Sequence, residues 1–196
     1  MPTADEPITE YVAGVSSWKP WQQEYRFGVI LVVPPDPPLS QVNALRARYA
    51  WSQSGECDAH ISLTVPVPRA LSAAHWRELE AIAAAIEPFE IRYGPLMNYL
   101  PHPGVCLAIE PQAALDKLRI AVESASCFAE ATPRRYPFSA HMTIAEMISV
   151  EQTHEIMEEL KTEAPQGTFL CDNLCYLVPD ADFRFVERGR LTMGGT

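Results

Sequence analysis

The sequence predicts a mixed helix-and-strand protein folded as two lobes related by an approximate two-fold axis about a shared cleft. Three observations carry that prediction. Short β-branched runs alternate with helix-forming segments along 196 residues, and the order of those segments occurs twice. The best-matched parts of the two halves are strands of the form histidine, apolar, hydroxyl, apolar: "HISL" at 60–63 and "HMTI" at 141–144. A chain that is 47% hydrophobic can also bury one sizeable core, which suits a single domain at this length.

Residues 1–24 show no clear period and are expected to form an irregular arm pinned by Trp18 and Trp21. "YRFGVILVV" (25–33) reads as a strand stopped by "PPDPP", because proline supplies no donor to a ladder. Ser40 is expected to cap a helix running to about Tyr49, with Val42, Leu45 and Tyr49 at helical spacing. "CDAHISLTVPVP" (57–68) reads as a buried strand closing on prolines. Ser72 opens a second helix, "SAAHWRELEAIAAAIE", broken at Pro88. "FEIRYGPLMNYL" (89–100) is a strand, Pro101 to Gly104 a turn, and "GVCLAIE" (104–110) another strand. An amphipathic helix is expected from 112 to about 130, a strand over "FSAHMTIAEM" (138–147) and a helix over "EQTHEIMEELKT" (151–162). Two last strands, near 168–178 and 183–193, flank the turn "PDAD".

The echo between halves extends beyond the histidine strands. "GVILVV" at 28–33 returns as "GVCLAI" at 104–109, and "PLMNYL" is matched by "DNLCYL". The expected organisation is an N-terminal arm over 1–24 and one domain over 25–196. That domain has repeat halves of about 25–100 and 103–178 and a closing strand at 183–193. Such a repeat implies an approximate two-fold axis, with equivalent residues supplied to a shared cleft. A chance echo between two ordinary βαβ-like units is the alternative.

A net charge of −10 fits poorly with gripping long nucleic acid through many phosphates. A small anionic ligand or the end of an RNA stays compatible, provided positive charge is gathered locally. The five cysteines, at 57, 106, 127, 171 and 175, form no C-x-x-C pair and read as small core residues of a reducing cytosol. Cys171 and Cys175, four apart on one expected strand, should share a face. The opening "MPTADEPITE" is acidic without an apolar core, so no signal peptide is expected, nor any membrane span. The expected location is the cytoplasm, and a monomer is the expected state.

On a strand, residues two apart point the same way. His60 therefore shares a face with Ser62, and His141 with Thr143. If the lobes pack two-fold, two imidazoles and two hydroxyls meet across one cleft. That set suits phosphodiester chemistry without a metal. One imidazole takes the proton of the attacking oxygen, the other protonates the leaving oxygen, and the hydroxyls hold the non-bridging oxygens. We assign His141 as base and His60 as acid, with the pseudo-symmetry allowing the reverse. Neither pair has a carboxylate or second histidine at metal-ligand spacing, and no cofactor is expected. A serine nucleophile is disfavoured, because Ser62 lies on a strand and not on a sharp turn.

The paired motifs, 81 residues apart, resemble those of the 2H phosphoesterase superfamily, in its 2′-5′ RNA ligase and cyclic phosphodiesterase branch. The likeness spans about residues 25–193. It implies a bilobal α+β fold with antiparallel sheets and metal-independent chemistry. It also implies substrates such as 2′,3′-cyclic phosphates, ADP-ribose 1″,2″-cyclic phosphate or 2′-5′ linked oligonucleotides. By the same resemblance His60 and His141 match the catalytic histidines, and Ser62 and Thr143 the phosphate-binding hydroxyls. One departure is Ala140, where many members place proline before the second histidine. A non-catalytic module that binds a nucleotide or RNA end on the same scaffold is the alternative.

Other candidates are less specific. In "RRYPF", Arg134 or Arg135 could contact phosphate and Tyr136 or Phe138 could stack on a base, or all four could serve surface and core. His75 and His154 read as polar helix-surface residues, His102 as a turn residue near the cleft rim. Arg188 and Arg190 alternate on the last strand.

Overall fold

The computed structural model describes residues 6–49, 55–99 and 102–194. The first five residues of the arm, Pro101 of the expected turn and the last two residues lie outside that range. The chain runs α1 (Pro20–Gln23), β1 (Val29–Val32), α2 (Pro38–Tyr49), β2 (Ile61–Ser62), α3 (Ala73–Ala84), β3 (Phe89–Asn98), β4 (Gly104–Glu110) and α4 (Gln112–Glu123). It continues with β5 (His141–Glu146), α5 (Val150–Glu159), β6 (Gly167–Cys171), β7 (Asn173–Pro179) and β8 (Phe185–Thr192).

The expected pair of antiparallel sheets is present as two halves of one eight-stranded sheet, in the order β6-β3-β4-β5-β2-β1-β7-β8. The halves join where β2 meets β5, through Ile61 opposite Met142. Four strands lie on each side of that join, so the pseudo-two-fold passes between the two motifs. The halves of the sequence do not map one to one onto the halves of the sheet. β3 crosses to pair with β4, while β7 crosses back to pair with β1. Each lobe thus contains a strand from the other repeat, which makes the two inseparable as folding units.

One face of the sheet carries the main core. Ile30, Ile61, Leu107, Met142 and Tyr176 point into it, with Val42 of α2, Leu79 of α3, Leu115 of α4 and Ile156 of α5. The other face carries a smaller cluster of Val29, Leu31, Cys175 and Leu177, with Tyr25 and Phe185 against it. This second face lines the cleft.

Several expected boundaries move, each for a local reason. β1 starts at Val29 because Gly28 sits at a φ of 84°, where a Cβ would meet Leu177 O at 2.3 Å. α2 starts two residues before Ser40. The Asp36 carboxylate accepts from both the N–H and the hydroxyl of Ser40, so Asp36 does the capping. The first motif strand shrinks to two residues. Past Ser62, Ile30 N–H donates to the Thr64 hydroxyl at 3.1 Å, and the prolines at 66 and 68 add no donors. α4 ends at Glu123, where the Glu78 carboxylate binds the N–H and hydroxyl of Ser126 and sets a short 3-10 turn, Ser126–Phe128.

The strand expected over 168–178 is two strands. It breaks at Asp172, leaving β6 at the outer edge of one half and β7 in the other. Cys171 and Cys175 consequently lie in different clusters, one in the main core and one on the cleft face, and do not share a face. The arm is packed rather than loose. Ile8 N–H bonds Leu71 O at 2.9 Å, Trp18 is buried with its indole N–H on Ala181 O at 3.1 Å, and Trp21 stays 43% exposed.

Candidate active site

Antiparallel register fixes what shares the cleft face. Ser62 stands opposite Leu31, which stands opposite Cys175. Thr143 stands opposite Cys106, which stands opposite Met97. Directly opposed residues point the same way, so both hydroxyls lie in rows running outward from the join. His60 and His141, two places before each hydroxyl, take the same side.

The backbone before each histidine is built by the same device. Ala59 N–H donates to the Asn43 side-chain oxygen at 2.7 Å, and Ala140 N–H donates to the Gln112 side-chain oxygen at 2.8 Å. Both alanines are buried. Gln112 also donates to Ile109 O and Ala140 O, so its amide clamps both the N–H and the C=O of the residue before the second histidine. A proline at 140 would have no N–H to offer this clamp. The departure from the family pattern therefore has a structural counterpart.

Each histidine then closes onto its own backbone. His60 Nδ1 lies 2.7 Å from Asp58 O and His141 Nδ1 lies 2.8 Å from Ser139 O. A carbonyl only accepts, so each Nδ1 carries the proton and each Nε2 is left with its lone pair able to exchange a proton. Both rings are half-buried.

The electrostatics of the two rings differ. Burial pushes the His60 imidazole down to about 4, with the positive charge of Arg46 and the neighbouring His141 acting in the same direction against the Asp58 carbonyl. Burial also lowers His141, but the Ser139 carbonyl and the Glu146 carboxylate pull it back up. Tyr99 stacks on His141 with ring centroids 4.3 Å apart.

Arg46 is the residue that sequence reasoning missed most clearly. It is 5% exposed and reaches from α2 beneath both motifs. Its guanidinium donates to Thr143 O at 3.1 Å and to Cys57 O at 3.0 Å. Among the described residues no carboxylate pairs with it, so a buried positive charge underlies the cleft floor. The only sequence signal was an arginine four residues after Val42, on the helical spacing of the core face.

Arg134, one of the two arginines that could contact phosphate or serve the surface, lines both chambers of the cleft and is tied to its neighbours. Its guanidinium pairs with Glu123 at 2.8 Å and donates to Leu63 O. Glu123 also accepts from Val65 N–H and Arg119. Arg135 and Tyr136 are exposed on the cleft rim. Phe138 lies under Arg119 and Arg134, with centroid distances of 5.5 and 5.3 Å, and packs on the core. His75 accepts the Ser72 N–H and completes the cap of α3; His154 is exposed on α5. His102 meets the Tyr136 ring edge-on at 5.7 Å, and Arg190 is paired with Glu187 at 2.7 Å.

The cleft has two adjoining chambers. One of about 390 Å³ is lined by all four motif residues with Tyr99 and Arg135. The other, about 460 Å³, shares His60 and Ser62 and extends toward Trp21, Tyr25 and Phe185. Among the described residues no group of three or more His, Cys, Asp or Glu could hold a metal ion, and no helix is long and apolar enough to cross a membrane.

Paired histidine–hydroxyl strands meeting across a pseudo-two-fold in an antiparallel sheet define a 2H phosphoesterase architecture. The sequence profile of the 2′-5′ RNA ligase superfamily matches residues 34–183, and the chain belongs to that superfamily. Solved structures agree on the fold. Escherichia coli LigT in its apo form superposes with a TM-score of 0.56 at 18% identity, over 84% of this chain and 95% of that one. LigT complexed with 3′-AMP gives 0.56 at 14% identity, over 84% and 96%. TT0787 of Thermus thermophilus gives 0.53 at 12%, over 85% and 97%. No curated protein sequence matches the chain.

Proposed function

We propose that the protein is a metal-independent phosphodiesterase that opens cyclic nucleotide phosphates, 2′,3′-cyclic or ADP-ribose 1″,2″-cyclic, or cleaves 2′-5′ linkages. The observation that carries this reading is the matched pair of histidines. Each is locked at Nδ1 by the carbonyl two residues earlier and presents Nε2 beside a hydroxyl. With the phosphorus held by Ser62 and Thr143, one Nε2 takes a proton from water as the new P–O bond forms. The other Nε2–H gives a proton to the ribose oxygen as its P–O bond breaks.

The charges around the rings favour His60 as base and His141 as acid, the reverse of the assignment made from sequence. Burial, with Arg46 acting in the same direction, makes His60 resist protonation; burial also lowers His141, but the Ser139 carbonyl and Glu146 oppose it. An anionic phosphate between them favours the protonated acid further. The cleft is complete within one chain, in keeping with a monomer. Five free cysteines, four of them buried, are in keeping with a reducing cytoplasm.

The test is turnover of a panel containing 2′,3′-cyclic mononucleotides, ADP-ribose cyclic phosphate and 2′-5′ oligoadenylate, with and without chelator. His60→Ala and His141→Ala should each lower kcat by about 10³-fold, while the chelator changes nothing. Loss of turnover with chelator, alongside two active variants, would overturn the mechanism. Tight nucleotide binding without product would make the scaffold a binding module. LigT structures contain 3′-AMP, NADP+ and ATP, which supports including mononucleotides and dinucleotides among the ligands.

A further inference from the structure

We propose that the N-terminal arm builds a nucleobase subsite beside His60, with Trp21 and Tyr25 as its aromatic wall and Glu56 as its hydrogen-bond acceptor. The base it takes carries an exocyclic amino group. This rests on the phosphodiesterase reading above for where the phosphate sits. Trp21 and Tyr25 lie before residue 34, where the family match begins, and Glu56 lies within it.

The larger chamber, about 460 Å³, is within the usual volume of a small-molecule site and opens directly from His60 and Ser62. Its far wall is an aromatic cluster formed between the arm and the β7–β8 turn. Phe183 is buried at the centre, in edge contact with Trp18 at 5.1 Å, Trp21 at 5.4 Å and Phe185 at 5.2 Å. Tyr25 meets Phe185 at 5.8 Å. Trp18 and Phe183 therefore pin the cluster, and the part of Trp21 that stays exposed is left to face a ligand. A flat ring stacked there gains without a sequence-specific contact.

The backbone around this chamber is held in a costly shape. Met147 at φ 56° and Phe183 at φ 60° are the two non-glycine residues with positive φ among the described ones, and both line it. Such conformations persist where packing over-determines them and gather at ligand clamps.

Polarity selects the base. Glu56 is half-buried on the chamber wall, and no hydrogen bond or ion pair to its carboxylate is formed among the described residues. Burial raises its proton affinity, with the positive charges of Lys19 and Arg46 opposing and the negative charge of Glu146 adding to it. A carboxylate only accepts when ionised, so it matches the amino groups of adenine, guanine or cytosine. At the corresponding edge uracil presents a carbonyl, which it would repel.

The experiment is calorimetric titration of the intact protein with adenosine and uridine 2′-monophosphates, and with ribose 5-phosphate as a base-free reference. Wild type should bind the adenosine nucleotide more tightly than the uridine one. Trp21→Ala should weaken adenosine nucleotide binding about tenfold and ribose phosphate binding far less. Glu56→Gln should abolish the preference for adenine over uracil. Variants that bind both nucleotides as wild type does, or no nucleotide binding at all, would overturn the subsite. Turnover is scored separately. Trp21-dependent affinity without cleavage sinks the phosphodiesterase reading and keeps the subsite; cleavage with Trp21-independent affinity does the reverse.

Discussion

The two motif regions are alike in backbone and unlike in chemistry. Each has an alanine pinned by a side-chain amide, a histidine locked by the carbonyl two residues back, and a hydroxyl in the next outward position. Around that common frame the neighbours diverge. The first histidine has a buried arginine below it and an apolar, aromatic chamber beside it. The second has a carboxylate and a stacked tyrosine. Repetition of the backbone delivers two equivalently held imidazoles, and the unequal surroundings give them different proton affinities, which under the proposed mechanism separates base from acid. A strictly symmetric site would hold two identical imidazoles with no reason for one to be acid and the other base.

That comparison can be broken at several depths. After the histidine variants above, the largest effect tests the shared frame. Ser62→Ala and Thr143→Ala should each lower kcat by about 10²-fold, as for loss of one donor to a developing charge. If only one of them matters in steady-state kinetics, the phosphate is held by a single lobe.

Next comes the pair of arginines that link the lobes. Arg46 of the first half holds Thr143 O of the second, and Arg134 of the second holds Leu63 O of the first. Arg46→Met removes the donor from two carbonyls and should cost about 2–3 kcal/mol in urea unfolding. Arg134→Met should cost less, because Arg134 is only half-buried. Equal costs would show that burial beneath the cleft does not distinguish them.

A smaller effect sharpens the frame itself. Asn43→Ala and Gln112→Ala each leave a buried alanine N–H without its acceptor and should lower stability by about 1–2 kcal/mol. The kinetic consequence should follow the histidine served, so that each variant shifts one limb of the pH–rate profile.

The smallest effect is a slope. The folded His60 titrates at about 4, whereas an imidazole in the unfolded chain titrates near ~6.5. Between those values the unfolded chain binds the extra proton. The stability tied to neutral His60 is therefore full above ~6.5 and drains away as pH falls toward 4. His141 shifts in the same direction. Denaturation across that window should flatten more in His60→Gln than in His141→Gln; the opposite order would reverse the electrostatic contrast between the rings.

Much of this was legible in the sequence because strand periodicity is a covalent fact. "HISL" and "HMTI" declare their faces by alternation alone, and most helices and strands follow from apolar spacing and prolines. The tyrosine echo shows where such reading stops. "PLMNYL" and "DNLCYL" suggest that Tyr99 and Tyr176 are equivalent. In the sheet, however, Cys106 pairs with Met97 and Leu31 with Cys175, which sets Asn98, not Tyr99, against Tyr176. A slip of one residue flips the face. Tyr176 goes into the core beside Trp76, and Tyr99 turns to the cleft and stacks on His141. Arg46 was equally hidden, since an arginine on a helix is ordinarily a surface residue. Asn43 and Gln112 gave no signal, since a side-chain amide acts as a clamp only where the fold delivers a peptide to it.

By itself the sequence determined the repeated order of segments and the sharing of one face by His60 with Ser62 and by His141 with Thr143, because these follow from local periodicity. Tertiary structure decided the rest. It exchanged a strand between the repeats, seated a charge under one histidine and a carboxylate by the other, and brought the arm to the edge of the cleft. These depend on contacts between residues far apart in the chain, and on burial, which changes the energy of a charge without changing a letter of the sequence.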